Sequence, residues 1–308
     1  MIFLHIPGIR TILGEIFMDI ASNEKKSIIK KNQMKGEGAA MKNMTEQIKA
    51  RRSVRTYDGG IIDESIKEKL ESFWNTIENP FDIPVEFRFL NAKEHSLLCP
   101  VVSGTELYVG GKIKNVPNAS IAFGYSFEAF VLYAQSIGLG TVWLGGTMNR
   151  GAFEKAMELG EDEPCASPIG YAAKKMSVRE NMMRKAIKAD ERMAFEELFY
   201  DDTFDKTLTR KKAGNLEILL EMVRLAPSAV NKQPWRVCVA ENVVHFYLKR
   251  SKGVGKEGKL DMQMVDMGIA LCHFALTAKE YGFLIEFIKR EPQLSADNME
   301  YIGSYRIL

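Results

Sequence analysis

Helical periodicity of the apolar residues is the clearest feature of the first half of the chain. Between Glu64 and Asn75 the apolar side chains recur at helical spacing, and a longer run from Ser120 to Ile137 does the same. Gly138 follows this run directly, as is typical just beyond a helix C-terminus. The pattern therefore predicts a short helix and a long helix with a buried face.

Short strands are predicted around these helices. Residues 85–89 alternate apolar and polar side chains, and 138–146 and 167–171 are short apolar runs, with a further helix expected over 150–159. The segment 174–189 is strongly charged, and we expect it to be exposed. Helices and strands mixed in this way predict an α+β fold.

The second half of the chain repeats the pattern of the first. One fixed offset aligns helix 66–74 with 216–224, and the sequence 84–87 with 234–237 without a gap. A second offset aligns three residues of the long helix with the same residue types downstream: Gly124, Ala134 and Gly138 with Gly268, Ala278 and Gly282. The repeat predicts an internally duplicated pseudo-dimer, in which each unit covers the core of its twin. Chance similarity between amphipathic patterns is the alternative.

The N-terminal segment differs from the rest of the sequence. Arg10, Glu15 and Asp19 interrupt its apolar stretches, so it is too polar and too short to span a bilayer. We interpret it as a disordered or non-native extension with a native start at Met41 or Met44, and an amphipathic anchor is the alternative. The predicted domains are 1–43 for the extension, 44–208 for the first unit and 209–308 for the second.

The composition is that of a soluble globular protein, with 46% hydrophobic and 27% charged residues. A net charge of +2 provides no field that would attract nucleic acid or a membrane surface. The four cysteines form no CxxC motif and the four histidines have no metal-ligand spacing, which disfavours a zinc site or a disulfide framework. We therefore expect a cytoplasmic protein with no nucleic-acid or membrane partner.

A basic cluster stands at Arg51, Arg52, Ser53 and Arg55. A guanidinium group is a rigid fork of donors, so such a cluster suits a phosphate better than scattered lysines would. A solvated basic turn is the alternative. We also predict a short helix that runs into the cluster with Thr45 as its N-cap.

Three motifs in this order resemble the FMN-dependent nitroreductase family: the arginine cluster, the glycines of 138–146, and Pro-Ser-Ala-Val-Asn-Lys-Gln-Pro-Trp at 227–235. The resemblance runs from about Met44 to the C-terminus and is to the subgroup with two units fused in one chain. It implies a nitroreductase-like fold with antiparallel-rich sheets and long central helices. It also implies FMN as cofactor, NADH or NADPH as co-substrate and a small-molecule electron acceptor.

The resemblance further implies which residues bind FMN. Arg51, Ser53 and Arg192 would hold the phosphate, with Arg52 nearby. Arg55 would approach the N1/O2 edge of the flavin, where a cation raises the reduction potential. The remaining expected contacts are Gly145, Gly146, Pro227, Ser228 and Asn231. Flavin N5 carries the chemistry, so no side chain is expected to be catalytic. Taken alone, a simple turn is the alternative explanation of the double glycine, and a surface ion pair is the alternative for Arg192.

Two fused units would form two composite sites between them, and only one of these sites has all its motifs in the sequence. The first half has 75–81 in place of Pro-Ser-x-x-Asn, and the second has 201–205 in place of the arginine cluster and Lys289-Arg290 in place of the double glycine. Asp190 also stands where the family often has a second basic residue. We predict one FMN per chain, bound between the halves of a monomer.

These inferences predict an NAD(P)H-dependent FMN oxidoreductase that reduces nitroaromatics, quinones or similar electron-poor compounds by a ping-pong mechanism. A flavin-binding protein that stores, senses or degrades FMN without steady turnover is one alternative. A scaffold that retains only the fold is another.

Overall fold

A computed structural model describes residues 43–158, 163–252, 256–257, 260–289, 292, 294 and 296–308. The extension predicted over 1–43 lies outside these residues except for Asn43, and Arg290 also lies outside them. Within the described chain, no helix combines the length and the apolar character that a bilayer crossing requires.

The first half of the described chain forms a four-stranded sheet and its helices. The sheet is antiparallel throughout, in the order β1-β2-β4-β3. Its elements are α1 (Met44–Ala50), α2 (Glu64–Trp74), β1 (Glu86–Asn91), α3 (Ala92–His95), β2 (Leu107–Ile113), α4 (Ala119–Ser136), β3 (Gly140–Thr141), α5 (Arg150–Ala156), β4 (Glu163–Gly170), α6 (Val178–Ala186) and α7 (Phe195–Leu198).

The second half forms a six-stranded sheet in the order β11-β12-β8-β7-β5-β6, in which only the β5–β7 pair is parallel. Its elements are β5 (Phe199–Asp201), β6 (Thr203–Thr207), α8 (Arg210–Ala213), α9 (Glu217–Arg224), β7 (Trp235–Ala240), β8 (Val243–Leu248), α10 (Met262–Glu280), β11 (Ile285–Ile288) and β12 (Glu300–Ile307). A small β9–β10 pair (Lys256–Glu257 and Leu260–Asp261) precedes α10.

The two sheets correspond strand for strand. β7, β8, β12 and β11 have the order and the antiparallel pairing of β1, β2, β4 and β3. β5 and β6 extend the second sheet at its β7 edge, although the predicted boundary assigns them to the first unit. The matching topology supports the predicted duplication.

The long helices α4 and α10 cross at the centre of the core through paired glycines. A Cβ atom on Gly124 would lie 2.0 Å from the backbone oxygen of Val265, and one on Gly268 would lie 2.0 Å from that of Ile121. Only glycine allows two helix backbones to approach so closely. The contact is reciprocal and follows the same sequence offset, which is the relation that a pseudo-twofold axis between the units would produce.

The long central helices, the antiparallel-rich sheets and the α+β class are confirmed. The Thr45 N-cap is wrong: α1 begins at Met44, and the Thr45 N–H donates to the Glu280 carboxylate of α10 over 2.8 Å. The placement of 201–205 is also wrong. That segment lies at the β7 edge of its sheet, whereas the arginine cluster runs beside β3, the counterpart of β11 at the other edge.

Candidate functional site

The arginine cluster lies on an extended segment beside β3. The Val54 N–H donates to the Thr141 oxygen over 2.9 Å, and Ser53 forms a parallel bridge with the same residue. β3 leads directly towards Gly145 and Gly146. The fold therefore holds the cluster against the strand that precedes the double glycine.

Two arginines of this segment are buried without enough acceptors. The Arg51 side chain is 6% exposed, and its Nε lies 4.0 Å from Glu128 Oε1. Arg55 is 8% exposed. Among the described residues, Arg51 Nε and Arg55 Nη1 have no hydrogen-bond partner. Burial is the main cause that lowers the pKa of both groups. Since a buried guanidinium N–H without an acceptor is costly, this arrangement fits an anionic ligand.

A polar network centred on the fully buried Glu128 and His273 lies behind Arg51 and joins α4 to α10. Glu128 on α4 accepts from the Trp143 indole over 2.8 Å, and its other oxygen lies 3.0 Å from His273 Nε2 on α10. The His273 Nδ1 donates to the Met222 carbonyl over 2.9 Å. The sequence analysis missed Glu128 and His273, although a charged side chain within an apolar helix was a usable signal.

Helix α6 docks on the cluster through a buried glutamate. Glu180 is 1% exposed, accepts from Thr56 Oγ1 over 2.7 Å and lies 3.1 Å from Arg52 Nη1. The charged segment 174–189 is thus not uniformly solvated, because one of its acids pairs with the cluster.

Arg192 approaches the cluster from the segment between α6 and α7, near the end of the predicted first unit. Its Nη1 donates to the carbonyls of Ala189 and Glu191 over 2.9 and 2.8 Å and lies 3.4 Å from Asn231 Oδ1. Burial and then the charge of Arg51 lower the pKa of Arg192. In the described chain its Nε has no partner. The structure thus brings Arg51, Arg192 and Asn231 together, and Arg192 is not a surface ion pair.

The loop after α9 has a strained backbone. Val230 and Asn231 have φ values of 45° and 55°. Positive φ is rare for a β-branched residue such as Val230, and strained backbone of this kind is often found at functional sites. Ser228 Oγ accepts from the Gln233 N–H over 2.8 Å, and Asp266 Oδ1 accepts from the Ala229 N–H over 2.9 Å. These bonds fix the loop from both sides.

A cavity of about 630 Å³ opens beside Arg192 and Asn231. Lysines outnumber acids in its lining, which contains Lys188, Lys232 and Lys252, while Glu191 pairs with Lys188 over 3.1 Å. The cavity is therefore basic, and Arg192 and Asn231 form part of its lining.

The remaining predicted contacts are less closely joined. Gly145 and Gly146 follow β3, and Pro227 and Ser228 precede the strained loop, but no hydrogen bond in the described part of the chain connects the double glycine to the arginines or to Ser228. The prediction for these four residues stays a prediction.

A metal centre finds no support in this part of the structure. The described residues contain no group of three or more side chains able to hold a metal ion. All four cysteines are buried and free.

Comparison with known proteins identifies the family. A family model described as "Putative TM nitroreductase" matches residues 43–278. A "putative nitroreductase" from Thermotoga maritima has 19% identity and a TM-score of 0.55, and the match covers 86% of this chain and 93% of that one.

Two other solved structures match a smaller share of the chain. A nitroreductase family protein from Clostridium difficile has 17% identity and a TM-score of 0.39, over 50% of this chain and 94% of that one. A nitroreductase with bound FMN from Bacteroides fragilis has 18% identity and a TM-score of 0.35, over 44% and 91%. No curated protein matches the chain. Since the family model spans most of the sequence, the chain belongs to the "Putative TM nitroreductase" family and has the general role of an oxidoreductase.

Proposed function

We propose that the protein binds one FMN between its two units and uses it to reduce small electron-poor molecules with NADH or NADPH. The observation that carries the proposal is a group of buried arginine nitrogens without a hydrogen-bond partner among the described residues, on Arg51, Arg55 and Arg192. A phosphate monoester accepts several charge-assisted hydrogen bonds and would satisfy these donors.

The residues of this chain would bind and tune the cofactor. Arg51, Ser53 and Arg192 would hold the phosphate, and Arg55 would place a positive charge beside the flavin N1/O2 edge, which raises its reduction potential. When bound, FMN would supply the hydride and electron transfer, alternating between donor and acceptor in a ping-pong order. The Glu128–His273–Trp143 network would fix Arg51 behind the site.

The single flavin per chain is supported by the counterpart region. The two positions that align with Gly145 and Asn231 are Lys289 and Phe81, and the Lys289 Nζ lies 4.6 Å from the centre of the Phe81 ring. Phe287 packs against the same ring, with 5.2 Å between the centroids. Side chains of this protein therefore occupy both counterpart positions and pack against each other, which supports a single flavin site per chain.

Anaerobic mixing of the FMN-loaded protein with NADH and with NADPH tests the activity. We expect rapid loss of the yellow flavin absorbance with at least one of them, and its return on addition of a quinone. Retained FMN with no bleaching would favour the alternative of a protein that stores or senses flavin. A protein that binds no FMN would contradict the proposal altogether.

A further inference from the structure

Helix α6 places a further arginine at the arginine cluster. Arg184 lies one helical turn after Glu180, the residue that docks this helix on Arg52 and Thr56, so both side chains lie on the same face. The Arg184 side chain is only 11% exposed. It is therefore directed towards the cluster and not into solvent.

Arg184 acts electrostatically on the residues proposed to bind phosphate. Its charge contributes to the lowered pKa of Arg51, Arg55 and Arg192. Such mutual repulsion among partly buried cations is unfavourable unless an anion lies among them. Arg184 is thus part of the same cationic group, although it comes from a segment with no place in the motif.

The cationic group exceeds its carboxylates by two charges. The carboxylates that act on or pair with this group are Glu128, Glu180, Asp190 and Glu221, against the arginines Arg51, Arg52, Arg55, Arg184, Arg192 and Arg224. A phosphate monoester carries a charge of roughly −1.5 to −2 at neutral pH and would balance this excess.

Asp190 holds Arg184 by a weak, solvent-facing contact. Its carboxylate pairs with Arg184 Nη2, while its side chain is 80% exposed. Exposed ion pairs contribute little, whereas a guanidinium fork binds phosphate through parallel charge-assisted bonds. A phosphate can therefore replace this carboxylate at small cost.

We propose that Arg184 is the second basic anchor of the flavin phosphate, and that Asp190 occupies it until the phosphate binds. The assignment rests on the proposed function. It explains why the basic residue expected at position 190 is absent from this chain, because the cation comes from α6 while position 190 provides its exchangeable partner.

Equilibrium titration of the full chain with FMN and with riboflavin, which lacks the phosphate, tests the assignment. Arg184→Gln should weaken FMN binding by about 10- to 100-fold and leave riboflavin binding unchanged. Asp190→Asn should act in the opposite direction and tighten FMN binding by about 2- to 5-fold. Lys185→Gln is the matched control, since it removes a positive charge from an exposed position of the same helix.

Unchanged FMN affinity in Arg184→Gln, or weaker binding in Asp190→Asn, would overturn the assignment while wild-type FMN binding still supports the proposed function. Failure of the wild-type protein to bind FMN would overturn both. If Arg184→Gln does not fold, the sign of the Asp190→Asn effect still decides, because that exposed substitution removes no buried contact.

Discussion

The two halves of the chain both use a glycine where α4 and α10 cross, but they differ around the proposed binding site. Gly124 and Gly268 each admit the backbone of the opposite helix. At the site, Asn231 bonds to the chain around Arg192, whereas its counterpart Phe81 lies under Lys289. The close backbone approach at the crossing thus requires glycine in both halves. The residues proposed to bind the ligand are found at only one of the two counterpart positions.

The polar residues behind the site show the same asymmetry. By the offset that pairs the crossing glycines, Glu128 aligns with Cys272, and Asp266 aligns with Ala122. Both counterparts are fully buried and uncharged. Buried acids therefore occur on the side of the buried arginines, where cations and N–H groups are available to offset their desolvation.

The largest expected effect is on the shared crossing. Gly124→Ala and Gly268→Ala would each place a methyl group 2.0 Å from a backbone oxygen. We expect each to lower the free energy of unfolding by about 3 kcal/mol or more, since the helices must separate. Urea unfolding measures this, with Gly151→Ala in α5 as the control, because its Cβ would meet nothing within 4 Å. Loss in only one of the two variants would contradict a symmetric crossing.

Next in size is the removal of the charge behind Arg51. Glu128→Gln leaves Arg51 and His273 without their buried carboxylate, and we expect a loss of about 3 kcal/mol in the free energy of unfolding. Cys272→Ala at the counterpart position removes no charge and should cost about 1 kcal/mol. Equal losses in the two variants would show that Glu128 acts as a packing residue alone.

Asp266 gives a pH-dependent difference of intermediate size. Burial raises its pKa far above the ordinary value, so the folded state keeps a proton that the unfolded chain releases. The free energy of unfolding of the wild type should therefore fall with rising pH above about 4, by up to about 1.4 kcal/mol per pH unit, until the folded-state pKa is reached.

Asp266→Asn cannot ionise and keeps an acceptor for the Ala229 N–H, so its stability relative to the wild type should increase as the pH rises above about 4. Urea unfolding at several pH values measures the difference. A difference that does not change with pH would mean that Asp266 ionises in the folded protein as readily as in the unfolded chain.

The smallest effect is expected at the filled counterpart region. Lys289→Ala removes a cation from the face of Phe81, and we expect a loss of about 0.5 kcal/mol in the free energy of unfolding with unchanged FMN binding. Urea unfolding measures the loss of stability, and calorimetric titration of both proteins with FMN measures the affinity. A changed FMN affinity in this variant would indicate that FMN binds near Lys289 and Phe81 and not at the arginine cluster.

The sequence predicted what depends on periodicity and on residue type. The predicted long helix is present and ends at Ser136, and Gly138 just beyond it has a φ of 84°. Gly124 and Gly268 could be aligned because both lie in long apolar helical patterns, and helical spacing is a local property that the sequence shows directly. The segment 234–237, which the repeat aligns with the start of the strand predicted over 85–89, leads into β7, with Trp235 fully buried.

Partners that are distant in sequence could not be predicted in this way. The acceptor for the Thr45 N–H is Glu280, from the far end of the chain, and the pairing of β5 with β7 depends on the tertiary fold. Glu180 and Arg184 lie in a segment whose composition indicates solvent exposure, and only the docking of α6 shows that they face the arginine cluster.

The central claim is that one composite site holds one FMN through arginines of the first unit. Equilibrium dialysis of the wild-type protein and of the Arg51→Ala, Arg55→Ala double variant against FMN tests it most directly. We expect one FMN per wild-type chain and an affinity reduced by at least about 100-fold in the double variant. Two FMN per chain, or full occupancy in the double variant, would contradict the claim.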